Sequence, residues 1–93
     1  TLQQLSARYE MIALAARYPL LREVVASRGQ SLAFHHCEVL VKSHRVADPA
    51  HIAQLIGIED GAIVGALSQT AVRPVDAVRD ALLDVVDVLA PRE

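Results

Sequence analysis

Four prolines, at positions 19, 49, 74 and 91, divide a chain whose apolar residues recur in steps of three and four. Proline has a fixed φ and no amide hydrogen, so it suits the first turn of a helix and breaks the interior of one. Leu2, Leu5, Tyr9, Ile12 and Ala16 mark one face of a helix from Leu2 to Tyr18, with Gln3, Gln4, Arg8 and Arg17 outside. Pro19 kinks that helix or starts another. Leu20, Leu21, Val24 and Val25 form the next stripe, and Gly29 is predicted to stop it at the C′ position. Ser31 is a predicted N-cap for a helix reaching about Arg45, with Leu32, Ala33, Phe34, Cys37, Leu40 and Val41 inward. Pro74 opens the last helix and Pro91 closes it. No segment alternates with period two between turn residues, so no sheet is expected. The expected fold is all-α, a small bundle of four to six helices in a single domain over residues 1–93.

The last helix, Val75 to Ala90, is expected to be long and the most apolar. Val75, Val78, Leu82, Val85 and Leu89 step by three and four, a heptad-like seam that is a candidate dimer contact. Leu83, Val86 and Ala90 widen the apolar face. Asp76, Asp80, Asp84 and Asp87 fill the remaining strip and repel one another by a few tenths of a kcal/mol per pair. A basic surface nearby, such as the arginines of the first helices, would relieve that repulsion.

Residues 48–69, DPAHIAQLIGIEDGAIVGALSQ, carry the spacing of a helix-turn-helix. Asp48 is a predicted N-cap and Pro49 a first helical residue. Gly57 can adopt the positive φ that a sharp turn needs, four residues after the small Ala53. Ile58 follows as the turn hydrophobe, and Ile63 and Leu67 give a second helix its inward stripe. In Ala53, Ile56, Gly57, Ile58, Ala62, Ile63, Ala66 and Leu67, about twenty residues of the chain resemble the helix-turn-helix of the phage Cro and repressor family. The resemblance implies a second helix that enters the major groove and reads bases with Arg, Lys, Gln or Asn. The outward residues here are Glu59, Asp60, Gly61, Val64, Gly65, Ser68 and Gln69. None is basic, and two carboxylates occupy the edge where a phosphate would dock. Gly61 and Gly65 instead open a small-residue track that another helix can approach closely. The geometry is therefore expected to be helix-turn-helix-like, and the chemistry protein-contacting.

Charge and hydropathy support that reading. Hydrophobic residues make up 53% and charged residues 22%, which is more apolar surface than 93 residues hide easily. A homodimer would cover the excess. The net charge of −2 provides no global field for nucleic acid. Residues 1–45 carry six basic groups against three acidic, and residues 46–93 three basic against eight acidic. This polarity can join the halves within one subunit or between two. One cysteine, Cys37, excludes an intrachain disulfide. No apolar run approaches the roughly 20 residues that span a bilayer, and no signal peptide is visible. No membrane association and a cytoplasmic location are the expectation.

Neither catalysis nor metal binding is expected. His35 and His36 diverge by about 100° on a helix, and Cys37 and His44 are about 10.5 Å apart along its axis. Metal donors must lie within about 2.0–2.3 Å of one ion, and no C-x-x-C, H-x-x-x-H or H-E-x-x-H motif is present. The same separation keeps His44 from activating Cys37 as a nucleophile. Between Phe34, Leu40 and Val41 the thiol is expected to be buried and inert. The aspartate strip lies where nothing raises a carboxyl pKa for acid–base work. Glycine-rich phosphate loops are absent, and aromatics at 3% disfavour stacking platforms. The histidines can still form a pH-sensitive surface.

The expected function is that of a non-enzymatic regulator without a cofactor, a homodimer that binds and modulates another protein such as a transcription factor. In size and character the chain is similar to the small helical bacterial antiactivators that sequester LuxR-type quorum-sensing regulators. That likeness implies Leu20, Leu21, Val24, Val25, Phe34 and Leu40 as the apolar surface shared by dimer and target, with Gly61 and Gly65 as a further protein-binding track. The alternative is a helix-turn-helix DNA-binding repressor whose positive contacts come from Lys42, His44, Arg45, His51 and Arg73. Beginning at Thr1, the chain also fits a piece of a larger protein.

Overall fold

The computed structural model describes residues 1–69 and 72–93 as four α-helices: α1 (Leu2–Ala15), α2 (Pro19–Lys42), α3 (Pro49–Leu67) and α4 (Pro74–Leu89). The all-α expectation and the helix count hold. The chain falls into two compact units, Thr1–Leu32 and Ala33–Glu93, with the division inside α2.

In the first unit Thr1 caps α1, its Oγ1 accepting from the Gln4 amide at 3.1 Å. Pro19 starts α2 and does not kink α1. Between them, the Arg22 guanidinium turns back on the end of α1. Its Nε donates to the Ala15 carbonyl at 3.2 Å and its Nη2 to that of Ala16 at 2.8 Å. These carbonyls have no partner within their own helix, so the arginine does the work of a C-cap. Ala15 is the one buried residue of this unit.

The second unit holds the core. Leu40, Ile52, Leu55 and Ala90 are buried together, with Cys37, Ile56, Leu82, Val85, Val86 and Leu89 packed against them. Asp48 caps α3 as expected, accepting the Ala50 amide at 2.9 Å, with Pro49 in the first turn. Pro74 opens α4 and Ala90 ends it before Pro91.

Two predicted breaks are not breaks. Gly29 does not stop a helix and Ser31 does not start one, because α2 runs through both. Gly57 does not turn either: no glycine has positive φ, and Pro49–Leu67 is one helix. A glycine inside a helix costs only about 1 kcal/mol relative to alanine. Burial of Ile52, Leu55 and Ala66 along a single helical face exceeds that penalty. Pro49–Leu67 therefore holds no internal turn, and α4 packs along it, with Leu40 of α2 in the same core. An added Cβ at Gly57 or Gly61 would meet nothing within 4 Å, and both residues are exposed. Gly57→Ala together with Gly61→Ala is expected to stabilise the protein by about 1–2 kcal/mol, read as a rise in urea midpoint at unchanged slope.

The contrast between α3 and α4 also differs from expectation. With four aspartates and Arg79, α4 is strongly amphipathic and has no fully buried residue before Ala90. It is α3 that is the more apolar, and by length and composition it is long enough to cross a membrane. Its inward residues lie in the protein core, however, and Glu59 and Asp60 sit near its middle. Carboxylates at a bilayer centre cost about 2.5–3.5 kcal/mol each.

The end of α2 is closed by His44 in the left-handed region, at φ 57°. The Arg45 amide donates to the Leu40 carbonyl at 2.9 Å and the His44 amide to that of Val41 at 3.1 Å. This is a Schellman closure with histidine where glycine is usual. His44→Gly relieves the backbone strain and is expected to raise stability by about 0.5–1 kcal/mol in thermal unfolding. Beyond the turn, the Val46 amide donates to the Pro91 carbonyl at 2.8 Å, and the Glu93 amide to that of His44 at 2.9 Å. They flank an isolated antiparallel bridge, Arg45 to Arg92, and no strand is present among the described residues.

Candidate functional site

Within the second unit, α2, α3 and α4 leave an open cleft of about 390 Å³. Helical spacing supplies its walls in pairs four residues apart. His36 and Leu40 come from α2, Leu55 and Glu59 from α3, Leu82 and Val86 from α4. Each pair puts neighbouring side chains on one face of its helix. Val39, Leu40, Leu55, Leu82 and Val86 make the lining predominantly apolar. His35, His36, Ser43, Arg45 and Glu59 supply the polar groups.

Two polar contacts are built into that wall. Nε2–H of His36 donates to Oε2 of Glu59 at 2.9 Å, tying α2 to α3 with side chains only 17% and 20% exposed. The contact is an ion pair when the imidazole is protonated and a hydrogen bond to a charged acceptor when it is not. Glu59→Ala leaves a half-buried imidazole without this acceptor. It is expected to cost about 1–2 kcal/mol in chemical denaturation, with the Glu59→Gln variant between it and the parent.

Arg45 makes the second contact. Its Nη1 donates to Asp87 Oδ1 and to the Ala90 carbonyl, both at 2.9 Å. The arginine side chain is 14% exposed while that of Asp87 is 80% exposed.

The residues singled out from the sequence are scattered by this fold. Leu20, Val24 and Phe34 are exposed, and Leu21 and Val25 half-buried. Leu40 is not on the surface but in the core, because the closing turn at His44 folds the chain back over it. Leu82, Val85 and Leu89 of the heptad-like seam pack against the same core while remaining half-buried; Val78 is half-buried and Val75 exposed. Gly61 is exposed and Gly65 half-buried, both with open space around them. Of the basic candidates, Arg45 is engaged as described and His51 is half-buried. Lys42 and Arg73 are exposed, each beside a carboxylate, Glu38 at 3.9 Å and Asp76 at 3.8 Å. Phe34 and Val41 project outward, which leaves Cys37 half-buried and not enclosed as expected. The rings of His35 and His36 meet edge to face at 6.3 Å. Among the described residues no group of three His, Cys, Asp or Glu side chains converges as metal ligands would.

The pair His36–Glu59 was not legible in the sequence. The expected turn at Gly57 puts Glu59 on the leading edge of a separate second helix. A continuous α3 instead puts it one turn beyond Leu55, on the core side. The available signal was the four-residue step from Leu55 to Glu59, which the expected turn at Gly57 obscured.

The all-α chain, with no strand among its described residues and a cleft between helices, matches the family model described as tetracyclin repressor-like, C-terminal domain, over residues 2–88. The chain belongs to this family. No curated protein and no solved structure matches it. The tetracyclin repressor-like assignment places the chain among helical domains of transcription regulators, a family that is typically not enzymatic. It accords with the regulatory character expected from the sequence. It is a different family from both likenesses noted there, the phage repressor pattern and the antiactivators.

Proposed function

We propose that this chain is the regulatory domain of a transcription regulator, binding a small, largely apolar molecule in the cleft of residues 33–93 and self-associating. The observation that carries the reading is the cleft itself. Its volume of about 390 Å³, apolar walls and few polar groups are the characteristics of a small-molecule site. Domains of the tetracyclin repressor-like C-terminal type are commonly ligand-binding and dimerisation modules, which supports both halves of the proposal. Action on transcription implies a cytoplasmic location.

The ligand half is tested by amide chemical-shift mapping against apolar small molecules. Val39, half-exposed on the cleft wall, offers a blocking variant, Val39→Trp. The expected result is shifts confined to the cleft and a stabilisation of about 2.7 kcal/mol at a hundredfold excess over Kd, both lost in the variant. Shifts elsewhere, or binding unaffected by the tryptophan, would count against it. For self-association, light scattering at micromolar concentration should give about twice 10.1 kDa. A value near the monomer mass rejects the dimer.

A second reading, contact with another protein such as a transcription regulator, is favoured by the exposure of Leu20 at 79% and Phe34 at 67%. Direct DNA reading by this chain would depend on Lys42 and Arg73. A low-salt gel shift abolished by their double replacement would support it. The outward face of α3, with Ala53, Gly57, Gly61 and Val64 exposed, offers no cation for that task.

A further inference from the structure

We propose that the ligand of this cleft is an amphiphilic carboxylate, with its apolar body against Leu55, Leu82 and Val86 and its carboxylate held by Arg45. The proposal rests on the reading of the cleft as a ligand site and names the chemistry of what enters it.

Arg45 lines the cleft, and its side chain is only 14% exposed. Both of its side-chain hydrogen bonds run through Nη1, to Asp87 and to the Ala90 carbonyl. Among the described residues Nε and Nη2 donate to nothing, and no buried side-chain nitrogen or oxygen lacks a partner. These two nitrogens are therefore within reach of solvent beside an apolar wall. A guanidinium presents Nε and one Nη as a fork that matches the two oxygens of a carboxylate. Most of the charge is withdrawn from water, and its one acidic partner, Asp87, is 80% exposed and screened. A second, less hydrated anion would be received where the fork is open.

The other charges of the cleft do not favour a different head group. Glu59 is the acid that would attract an amine, but its Oε2 is already held by Nε2 of His36 at 2.9 Å. The Ser43 hydroxyl donates to the Val39 carbonyl at 2.8 Å and keeps its lone pairs toward its surroundings. The apolar residues account for the remaining wall, which an alkyl or aromatic body covers without leaving a polar group unpaired.

The test uses three probes with one chain length and different heads: decanoate, decanol and decylamine, titrated calorimetrically below their self-association concentrations. Decanoate is expected to bind roughly 10-fold or more tighter than decanol, with decylamine weakest. Arg45→Gln should reduce decanoate to the level of decanol. Because that variant also loosens the end of α4, Asp87→Asn provides the second arm. It removes a competing anion from an exposed position, and is expected to tighten decanoate several-fold while leaving decanol unchanged. Equal binding of decanol and decanoate, or preference for decylamine, overturns the carboxylate proposal and leaves the ligand cleft standing. An Asp87→Asn variant with no effect on decanoate also overturns it. If none of the probes perturbs the cleft amides, the site reading falls with it.

Discussion

Leu55→Ala is expected to destabilise the unit formed by residues 33–93 by about 3 kcal/mol, within the range of about 2–5 kcal/mol for buried leucine truncations. Leu55 is 4% exposed and belongs to the cluster with Leu40, Ile52 and Ala90. Removing its branched end loses the transfer energy of the buried carbons and leaves a void that packed helices close only in part. The void opens into the existing cleft, so water can enter it, which sets the expectation below the upper limit. Urea unfolding is the measurement. Val64→Ala, on the exposed side of the same helix, is the control and should change stability by less than about 0.5 kcal/mol. Equal losses at the two positions would mean that α3 does not present Leu55 inward.

Arg45→Met should cost about 2–3 kcal/mol although it retains most of the side chain's volume. The larger part comes from the Ala90 carbonyl. Ala90 is 0% exposed, and that carbonyl loses the Nη1 donor; a buried acceptor left unpaired costs about 1–3 kcal/mol. The ion pair with Asp87 adds less, because an exposed partner is screened and such pairs are worth about 0–1 kcal/mol. The two parts can be separated. Asp87→Asn alone should cost under about 1 kcal/mol and reduce the salt dependence of stability, whereas Arg45→Met should remain costly at high salt. Hydrogen exchange should locate the damage at the amides of Val46 and Glu93, which hold residues 44–46 to 91–93. Comparable losses for the two variants would make the ion pair, and not the carbonyl, the main contribution.

Asp48 with Pro49, and Pro74 with Pro91, announced α3 and α4 because a cap and a ring constraint act within one turn. The aspartates at 80, 84 and 87 lie on the exposed side of α4, as steps of four and three require. The absence of strands among the described residues follows from the absence of any alternating run. A regulatory role was also the expectation, and the tetracyclin repressor-like family agrees with it.

Glycine does not stop the helix at either of the two places where a break is expected. A glycine permits a turn but does not compel one, and its helical penalty of about 1 kcal/mol is small beside the burial of a neighbouring leucine. At Gly57 the burial of Ile52, Leu55 and Ala66 decided; at Gly29, where residues 26–31 are all exposed, α2 runs through with no buried neighbour. The continuity of α3 moved Glu59 inward to His36 and ruled out a turn inside Pro49–Leu67. The heptad-like step of α4 established that one face would be covered, but a periodic stripe does not name what covers it. Only packing assigned Leu82, Val85 and Leu89 to the chain's own core.

The sequence by itself determined the all-α class and where α3 and α4 begin, because a cap and a proline act on residues within a few positions of each other. Arg45, Leu55 and Leu82 are separated by up to 37 positions, and no local rule brings them together. The cleft they share exists only where a left-handed turn at His44 and the pairing of 44–46 with 91–93 bring the ends of α2 and α4 to one place. Burial drives that closure, and burial is a property of the assembled unit.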